Sequence, residues 1–441
     1  MAEIHPFRGG HYNQSLVSDL SKVICPPYDI ISPQLQQELY ARSEHNFVRL
    51  EFGRELPQDT VGDNKYTRAA SLLEQWLGQG ILQVNEKPAI YLHDHYFQFQ
   101  ERRNRRRGIV ARVRLEEWES NVVRPHEGTL PGPRRDRLDL LWALQTNTSP
   151  ILAMFEDSEQ QIAPVLERET TKQPIMRVSG PDNERHNVWA ITDEDVIHRL
   201  ANSLSNQPLY IADGHHRYTS ALTYRRERHS YSSSSGQSSN EPYDFVMMSL
   251  VDLADPGLAI LAPHRLVRGI SRPLLDGLVT KLGAFFEIER LPLTIPGVWQ
   301  RVDELLVKTD EVWLACFGPE KDNILVLHMH DDADISTMMP SFHTELFQRL
   351  DVSIVDHVIL EKLLEIEAVD NETKVHYNHD RQDAVKHVLD QEYQLAFFLR
   401  PVKPQLVKVV ADAGETMPHK STYFYPKTPV GLVFCPLALT G

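Results

Sequence analysis

The stretch Pro208–Leu222, PLYIADGHHRYTSAL, decides how this chain folds. Leu209, Tyr210 and Ile211 form a short apolar run that reads as a buried strand. Tyr218, Ala221 and Leu222 recur at i, i+3 and i+4, the apolar face of a helix. Between them lies Asp213-Gly214-His215-His216-Arg217, a strand-to-helix turn crowded with polar groups. Gly214 lets the backbone turn tightly or approach a ligand closely. The first N–H groups of the following helix lack intrahelical partners and carry partial positive charge, so the turn is suited to an anion. Arg217 adds a planar, permanently charged fork, and Asp213 can cap the helix or hold a histidine or a metal. The bland alternative is a capped surface turn with solvated histidines. Four chemically active side chains in five positions weigh against it.

Around this turn, the chain of 441 residues is long enough for two or three domains or lobes. It is 41% hydrophobic and 24% charged, a balance that builds a large core and excludes global disorder. No apolar run reaches the roughly 18 residues of a membrane span. The opening MAEIHPFRGG lacks the basic-then-apolar pattern of a secretory signal. Cys25, Cys316 and Cys435 are odd in number and far apart, which argues against a disulfide framework or a zinc knuckle and for a reducing, cytoplasmic setting. The net charge of −15 disfavours nucleic acid and anionic lipid as partners. Oligomeric state is not legible.

The periodicities predict a mixed α/β chain. An amphipathic helix is expected at 64–80, strands at 89–100 and 108–115, and a helix within 125–147 carrying Leu138, Leu141, Trp142 and Leu144. Arg102, Arg103, Arg105, Arg106 and Arg107 read as a charged hairpin loop between the two strands. Residues 229–240, HSYSSSSGQSSN, read as a flexible insertion. Strand-like runs resume at Phe245–Val251 and Leu258–Leu261. Beyond them a helix is expected near 273–283, strands near 284–291, 312–317 and 323–329, helices near 353–365 and 380–391, and a strand near 394–399. The expected lobes are 1–270, carrying the Asp-Gly-His-His-Arg turn, and 271–441, whose MPHKSTYFYPK segment returns toward the site.

Other segments carry chemistry. Pro26-Pro27-Tyr28-Asp29 is a rigid turn with an exposed carboxylate. Arg124-Pro125-His126-Glu127-Gly128-Thr129 offers a base, a metal ligand or both. It is not HExxH, so a zinc-protease reading fails; a loop salt-bridge cluster is the alternative. Pro263-His264-Arg265 follows a strand and either faces a ligand or is solvated. Met417–Lys427 packs Lys420, Lys427, a histidine and two hydroxyls among aromatics, as a phosphate or carboxylate site or as an ordered tail. No GxxxxGK[ST] and no GxGxxG after a strand occur, so neither a P-loop nor a Rossmann site is indicated.

Taken in order, Pro26-Pro27-Tyr28-Asp29, Pro125-His126-Glu127-x-Thr129, Ala212–Tyr218, His264-Arg265-Leu266-Val267 and Met417–Lys427 resemble the bacterial family catalogued as domain of unknown function 1015, over nearly the whole chain. The family's Asp-Gly-His-His-Arg turn is in turn similar to the phosphate turn of the ParB and sulfiredoxin superfamily, which includes ADP-dependent free-serine kinases. This implies a phosphate-turn core with additional α/β lobes. It also implies nucleotide-phosphate roles for Asp213, Gly214, His215, His216 and Arg217.

The resulting expectation is a phosphotransferase that uses ATP or ADP with Mg²⁺ on a small hydroxyl compound, for which the resemblance implies a serine-like substrate. Glu127 is the first candidate for base or Mg²⁺ ligand and Asp29 the second. His126 and His216 are further catalytic candidates, and Asp213 is a further metal ligand. His264, Arg265, Lys420 and Lys427 complete the cofactor-binding set. Two alternatives remain open: a slow nucleotide-hydrolysing switch of the ParB type, and a metal-dependent hydrolase using His126, Glu127, Asp213, His215 and His216.

Overall fold

The strand expected at Leu209 spans Leu209–Asp213, and the helix after it spans His215–Tyr231. They belong to a computed structural model that describes residues 2–180, 183–231, 240–307, 311–340, 344–367 and 371–437. The chain is mixed α/β and forms two compact units. The first comprises Met1–Pro125, Thr129–Ala259 and Pro426–Gly441, the second His126–Gly128 and Ile260–Tyr425. This differs from the expected division at 270/271. His264–Val267 pairs with Val375–Asn378 and Leu395–Phe398, which draws the segment from Ile260 into the second unit. Most of the serine-rich insertion, 232–239, lies outside the described residues.

The first unit is built on a mixed sheet, nine-stranded among the described residues. From edge to edge the order is Val123–Arg124, Leu209–Asp213, Ile151–Phe155, Phe245–Asp252, Arg102–Arg114, Ile90–Phe99, Arg185–Ile191 and Met176–Ser179, with Ile4–His5 also paired to Arg102–Arg114. Side chains alternate between its faces with the strand period of two. Thus Val246, Met248 and Leu250 enter one apolar core with Tyr218, Ala221 and Leu222 of the site helix. Met247 enters the other core with Leu73, Trp76 and Phe434. The helix Lys65–Gly78 matches its expected position, with Asn64 capping the amides of Tyr66 and Thr67.

The arginine run is strand rather than loop. A tight turn at Gln100 and Glu101, with φ of 48° and 59°, leaves Arg102 onward paired to Ile90–Phe99. Asp94 lies opposite Arg107 in the ladder and binds it through Nε–Oδ1 and Nη2–Oδ2 contacts, both 2.7 Å, so this guanidinium is buried with its charge matched.

The second unit holds a sheet that is six-stranded among the described residues, in the order Phe286–Pro292, Asn323–Met329, Trp313–Phe317, Leu395–Phe398, His264–Val267, Val375–Asn378. Its core gathers Leu266, Val302, Leu306, Phe317, Val326 and Phe398. The helix expected at 353–365 is wound more widely than an α-helix over Ile354–Leu363, and Leu364 N–H donates to Ile359 O at 2.9 Å. Among the described residues no helix is long and apolar enough to cross a membrane. All three cysteines are free and buried.

Candidate phosphate-turn site

In the first unit the register of Leu209–Asp213 against Ile151–Phe155 shifts between Ile211 and Asp213. Such a bulge re-aims the residue that ends a strand. Gly214 follows at φ +98°, a conformation that an L side chain resists. A Cβ there would lie 3.0 Å from Arg217 Nε, because the guanidinium folds back over the turn. Arg217 Nη2 donates to Asp213 Oδ2 at 2.8 Å and Nη1 to Pro150 O at 2.5 Å. Its Nε is buried and has no hydrogen-bond partner among the described residues.

Lys427 reaches the same carboxylate from the C-terminal segment. Its Nζ pairs with Asp213 Oδ1 and lies 3.2 Å from Asp29 Oδ2. Asp29 is presented by the short 3-10 turn Tyr28–Ile30, entered from Pro27 at φ −66°. Burial pushes the Asp213 carboxyl up, but Lys427 and Arg217 outweigh it and hold the group well below the usual carboxylate range. Burial likewise favours neutral Lys427, but Asp213 and Asp29 prevail and keep it charged, above its ordinary range. Burial raises the Tyr28 hydroxyl to about 12, and the Arg137 guanidinium sits 4.1 Å from that ring's centroid. The turn therefore gathers two carboxylates, an ammonium, a guanidinium and the first amides of a helix.

The histidines of the turn have defined places. His215 is buried at 7% exposure. His216 Nε2 accepts the Leu130 N–H at 2.9 Å, just ahead of the helix Pro131–Leu144. That lone pair orders a backbone amide, so a proton-transfer role through Nε2 is not available in this arrangement.

The remaining predicted residues belong to the second unit. Glu127 Oε1 accepts from Ser421 N, Thr422 N and Thr422 Oγ1, each at 3.1 Å. His126 is fully buried, with Nε2 2.9 Å from Thr422 Oγ1. Met417 N–H donates to His126 O at 2.7 Å, so 126–128 and 417–422 form one hydrogen-bonded patch. Lys420 is exposed at its edge, with φ 57°. His264 and Arg265 are buried rather than solvated. Arg265 is fully buried and grips Asp356 with contacts of 3.0 and 3.1 Å, while His264 Nδ1 accepts Leu399 N–H at 3.3 Å. The hydrolase ligand set is divided accordingly: Asp213, His215 and His216 lie in the first unit, His126 and Glu127 in the second.

Sequence reading passed over one group. His93 and His95 alternate along Ile90–Phe99 and so share a face, and His186 lies opposite His95 on the neighbouring strand. The H-x-H spacing was the available signal. Arg106, read as a loop residue, is buried beside them and donates to Pro426 O at 2.9 Å and Thr428 Oγ1 at 3.1 Å. A cleft of about 500 Å³ in the same unit, lined by Glu156, Arg199 and Tyr210 among others, includes none of the motif residues Asp213–Arg217.

Similar solved structures include a free serine kinase in complex with AMP, at 11% identity and TM-score 0.36, covering 72% of this chain and 86% of that one. A conserved hypothetical protein from Pyrococcus furiosus aligns at 12% identity and TM-score 0.35, covering 74% and 95%. SbnI with a C-terminal truncation, from Staphylococcus aureus, aligns at 11% identity and TM-score 0.35, covering 74% and 87%. No curated protein matches the chain. Its residues 4–353 match the family described as "Protein of unknown function (DUF1015)", and the chain belongs to that family.

Proposed function

We propose that the chain binds a nucleotide phosphate at the Asp213–Arg217 turn and transfers a phosphoryl group to the hydroxyl of a small metabolite. The observation that carries this reading is the Lys427 ammonium held between Asp213 and Asp29 at the start of the helix His215–Tyr231. Phosphoryl transfer asks little covalent chemistry of a protein; it asks for alignment and neutralised charge. Lys427, Arg217 and the helix amides supply the positive side, and the buried Arg217 Nε offers a donor without a protein acceptor among the described residues.

Two carboxylates on one lysine also fit Mg²⁺, which binds through one or two carboxylates plus substrate phosphates. Asp213 is the proposed ligand, and the ion when bound would neutralise phosphate charge. Asp29 is the proposed base. The substrate oxygen attacks the terminal phosphorus, the bond to the leaving nucleotide oxygen breaks, and the hydroxyl proton passes to Asp29. Glu127, with Oε1 committed to Ser421 and Thr422, is assigned to anchoring that segment.

The test is calorimetric titration of ATP, ADP and CTP with and without Mg²⁺, on wild type, Arg217→Ala and Lys427→Ala, followed by phosphorus NMR of a metabolite pool with the nucleotide that binds. Binding of one nucleotide, lost in both variants, together with a new phosphoester signal is the expected result. A chain that binds no nucleotide under either condition overturns the reading.

A further inference from the structure

His93, His95, Glu184 and His186 form a buried group in the first unit that the phosphate turn does not use. His95 Nε2 lies 2.9 Å from Glu184 Oε2, and His186 Nε2 lies 3.7 Å from the same oxygen. The three ligand-capable atoms all lie within 4.8 Å of one another. His95 is fully buried and His186 is 1% exposed. Glu184, with its side chain 16% exposed, gives the group an approach from solvent.

From this geometry we infer that His95 Nε2, His186 Nε2 and Glu184 Oε2 bind one divalent first-row transition ion of the zinc type. Bonds of ~2.0–2.1 Å at a tetrahedral angle place ligand atoms about 3.3 Å apart, and the two measured separations bracket that value. Two imidazoles and a carboxylate are a zinc-type ligand set with one coordination position left over. They are a poor set for Mg²⁺ or Ca²⁺, which demand oxygen.

A second observation points to an ion. His186 Nε2 is buried and has no hydrogen-bond partner among the described residues, a costly state for a polar atom. Its other nitrogen, Nδ1, lies 3.1 Å from His93 Nε2. With Nδ1–H donated to His93, the His186 Nε2 lone pair faces the Glu184 carboxylate. In that tautomer two electron-rich atoms face one another across 3.7 Å, a gap that a cation fills. His93 acts here as the outer partner that fixes the tautomer of a ligating imidazole.

Arg106 sets the one local cost. Its Nη2 lies 3.3 Å from His95 Nδ1, an arrangement in which Nε2 carries the ring proton and donates to Glu184. Metal uptake at Nε2 moves that proton to Nδ1, where it faces a guanidinium N–H, so Arg106 Nη2 must turn away from the ring. The guanidinium retains Pro426 O and Thr428 Oγ1. Gly180 borders the group itself. A Cβ there would lie 3.5 Å from His186 Nε2 and 3.6 Å from Glu184 Oε2.

The test strips the full chain with a chelator, reloads it with Zn²⁺ or Co²⁺, and measures bound metal by mass spectrometry, affinity by chelator competition, and the visible spectrum of the cobalt form. Wild type is expected to bind about one equivalent, with the intense visible absorption of low-coordinate Co²⁺. Glu184→Gln keeps the volume and the partly exposed position, and is expected to lose the cobalt spectrum and most of the uptake while melting cooperatively without metal. Gly180→Ala retains every ligand and is expected to alter the spectrum by crowding Glu184 and His186. His93→Phe is expected to weaken affinity ~10–100-fold. Substoichiometric uptake by wild type, or a Glu184→Gln chain with unchanged affinity and spectrum, overturns the assignment.

Discussion

Lys427 Nζ binds Asp213 Oδ1 across 214 residues of chain, and the same ammonium reaches Asp29. Both partners of the closer pair are at least four-fifths removed from solvent, at 9% and 20% side-chain exposure. Lys427→Met leaves Asp213 paired with Arg217, so the loss is expected to stay below the ~3–5 kcal/mol of a fully stranded buried charge. Lys427→Met combined with Asp213→Asn should cost less than the sum of the single changes. Urea unfolding of the four proteins checks this.

The same pair sets a pH dependence at both ends. The folded Asp213 pKa is lowered, so its contribution is fully present above the unfolded carboxyl range near ~3.9 and is lost as pH falls through the folded value. The folded Lys427 pKa is raised, so its contribution is fully present below ~10.4 and is lost as pH rises through its folded value. Stability of Lys427→Met relative to wild type, followed from pH 7 toward acid and toward base, should therefore improve in both directions. A constant difference would contradict the charged pairing.

Gly214→Ala puts a methyl group 3.0 Å from Arg217 Nε at a φ of +98°. Backbone strain alone should cost about 1–3 kcal/mol. The guanidinium must also shift, so phosphate or nucleotide affinity should fall further than the loss of stability accounts for. Melting temperature and titration of the same preparations separate the two effects.

His216→Ala removes the acceptor of the Leu130 amide, and a loss of about 1 kcal/mol is expected. If the residue acted instead in proton transfer, turnover would collapse while stability held. Comparing unfolding free energy with the initial rate decides between the roles.

Asp356→Ala leaves the fully buried Arg265 without its two carboxylate contacts and should cost about 3–5 kcal/mol. Arg265→Lys cannot reproduce the fork and should lose part of that. Nucleotide affinity of Arg265→Lys at a temperature where it is folded is expected to match wild type.

What could be read from the residues alone was periodicity. The helix Lys65–Gly78 and the strands Phe245–Asp252 and Leu395–Phe398 were legible because one face of each is apolar at the correct spacing. The turn at Gly214 was legible because a strand pattern changes to a helix pattern across it. The arginine run misled because its charge is matched across the ladder, Asp94 against Arg107, and register is invisible before pairing is known. Likewise Arg265 was legible as a cation but not as the partner of Asp356, 91 residues away. Residue types at the candidate site were readable, but their partners, and therefore which charges are committed, required the fold. The histidine group illustrates the same limit, since His186 meets His95 only through antiparallel pairing.

The first unit is threaded at both ends of its sequence. Val430 N–H donates to Cys25 O at 2.7 Å, Phe434 N–H to Gly10 O at 2.9 Å, and a Cβ at Gly10 would overlap the Phe434 ring. During synthesis, residues 10 and 25 leave the ribosome some four hundred residues before their partners are translated. The unit that carries the phosphate turn therefore finishes folding after the other has emerged, and its apolar seat for Phe434 stays open meanwhile. Nascent chains stalled before residue 430 should consequently engage holding chaperones, whereas released chains should not.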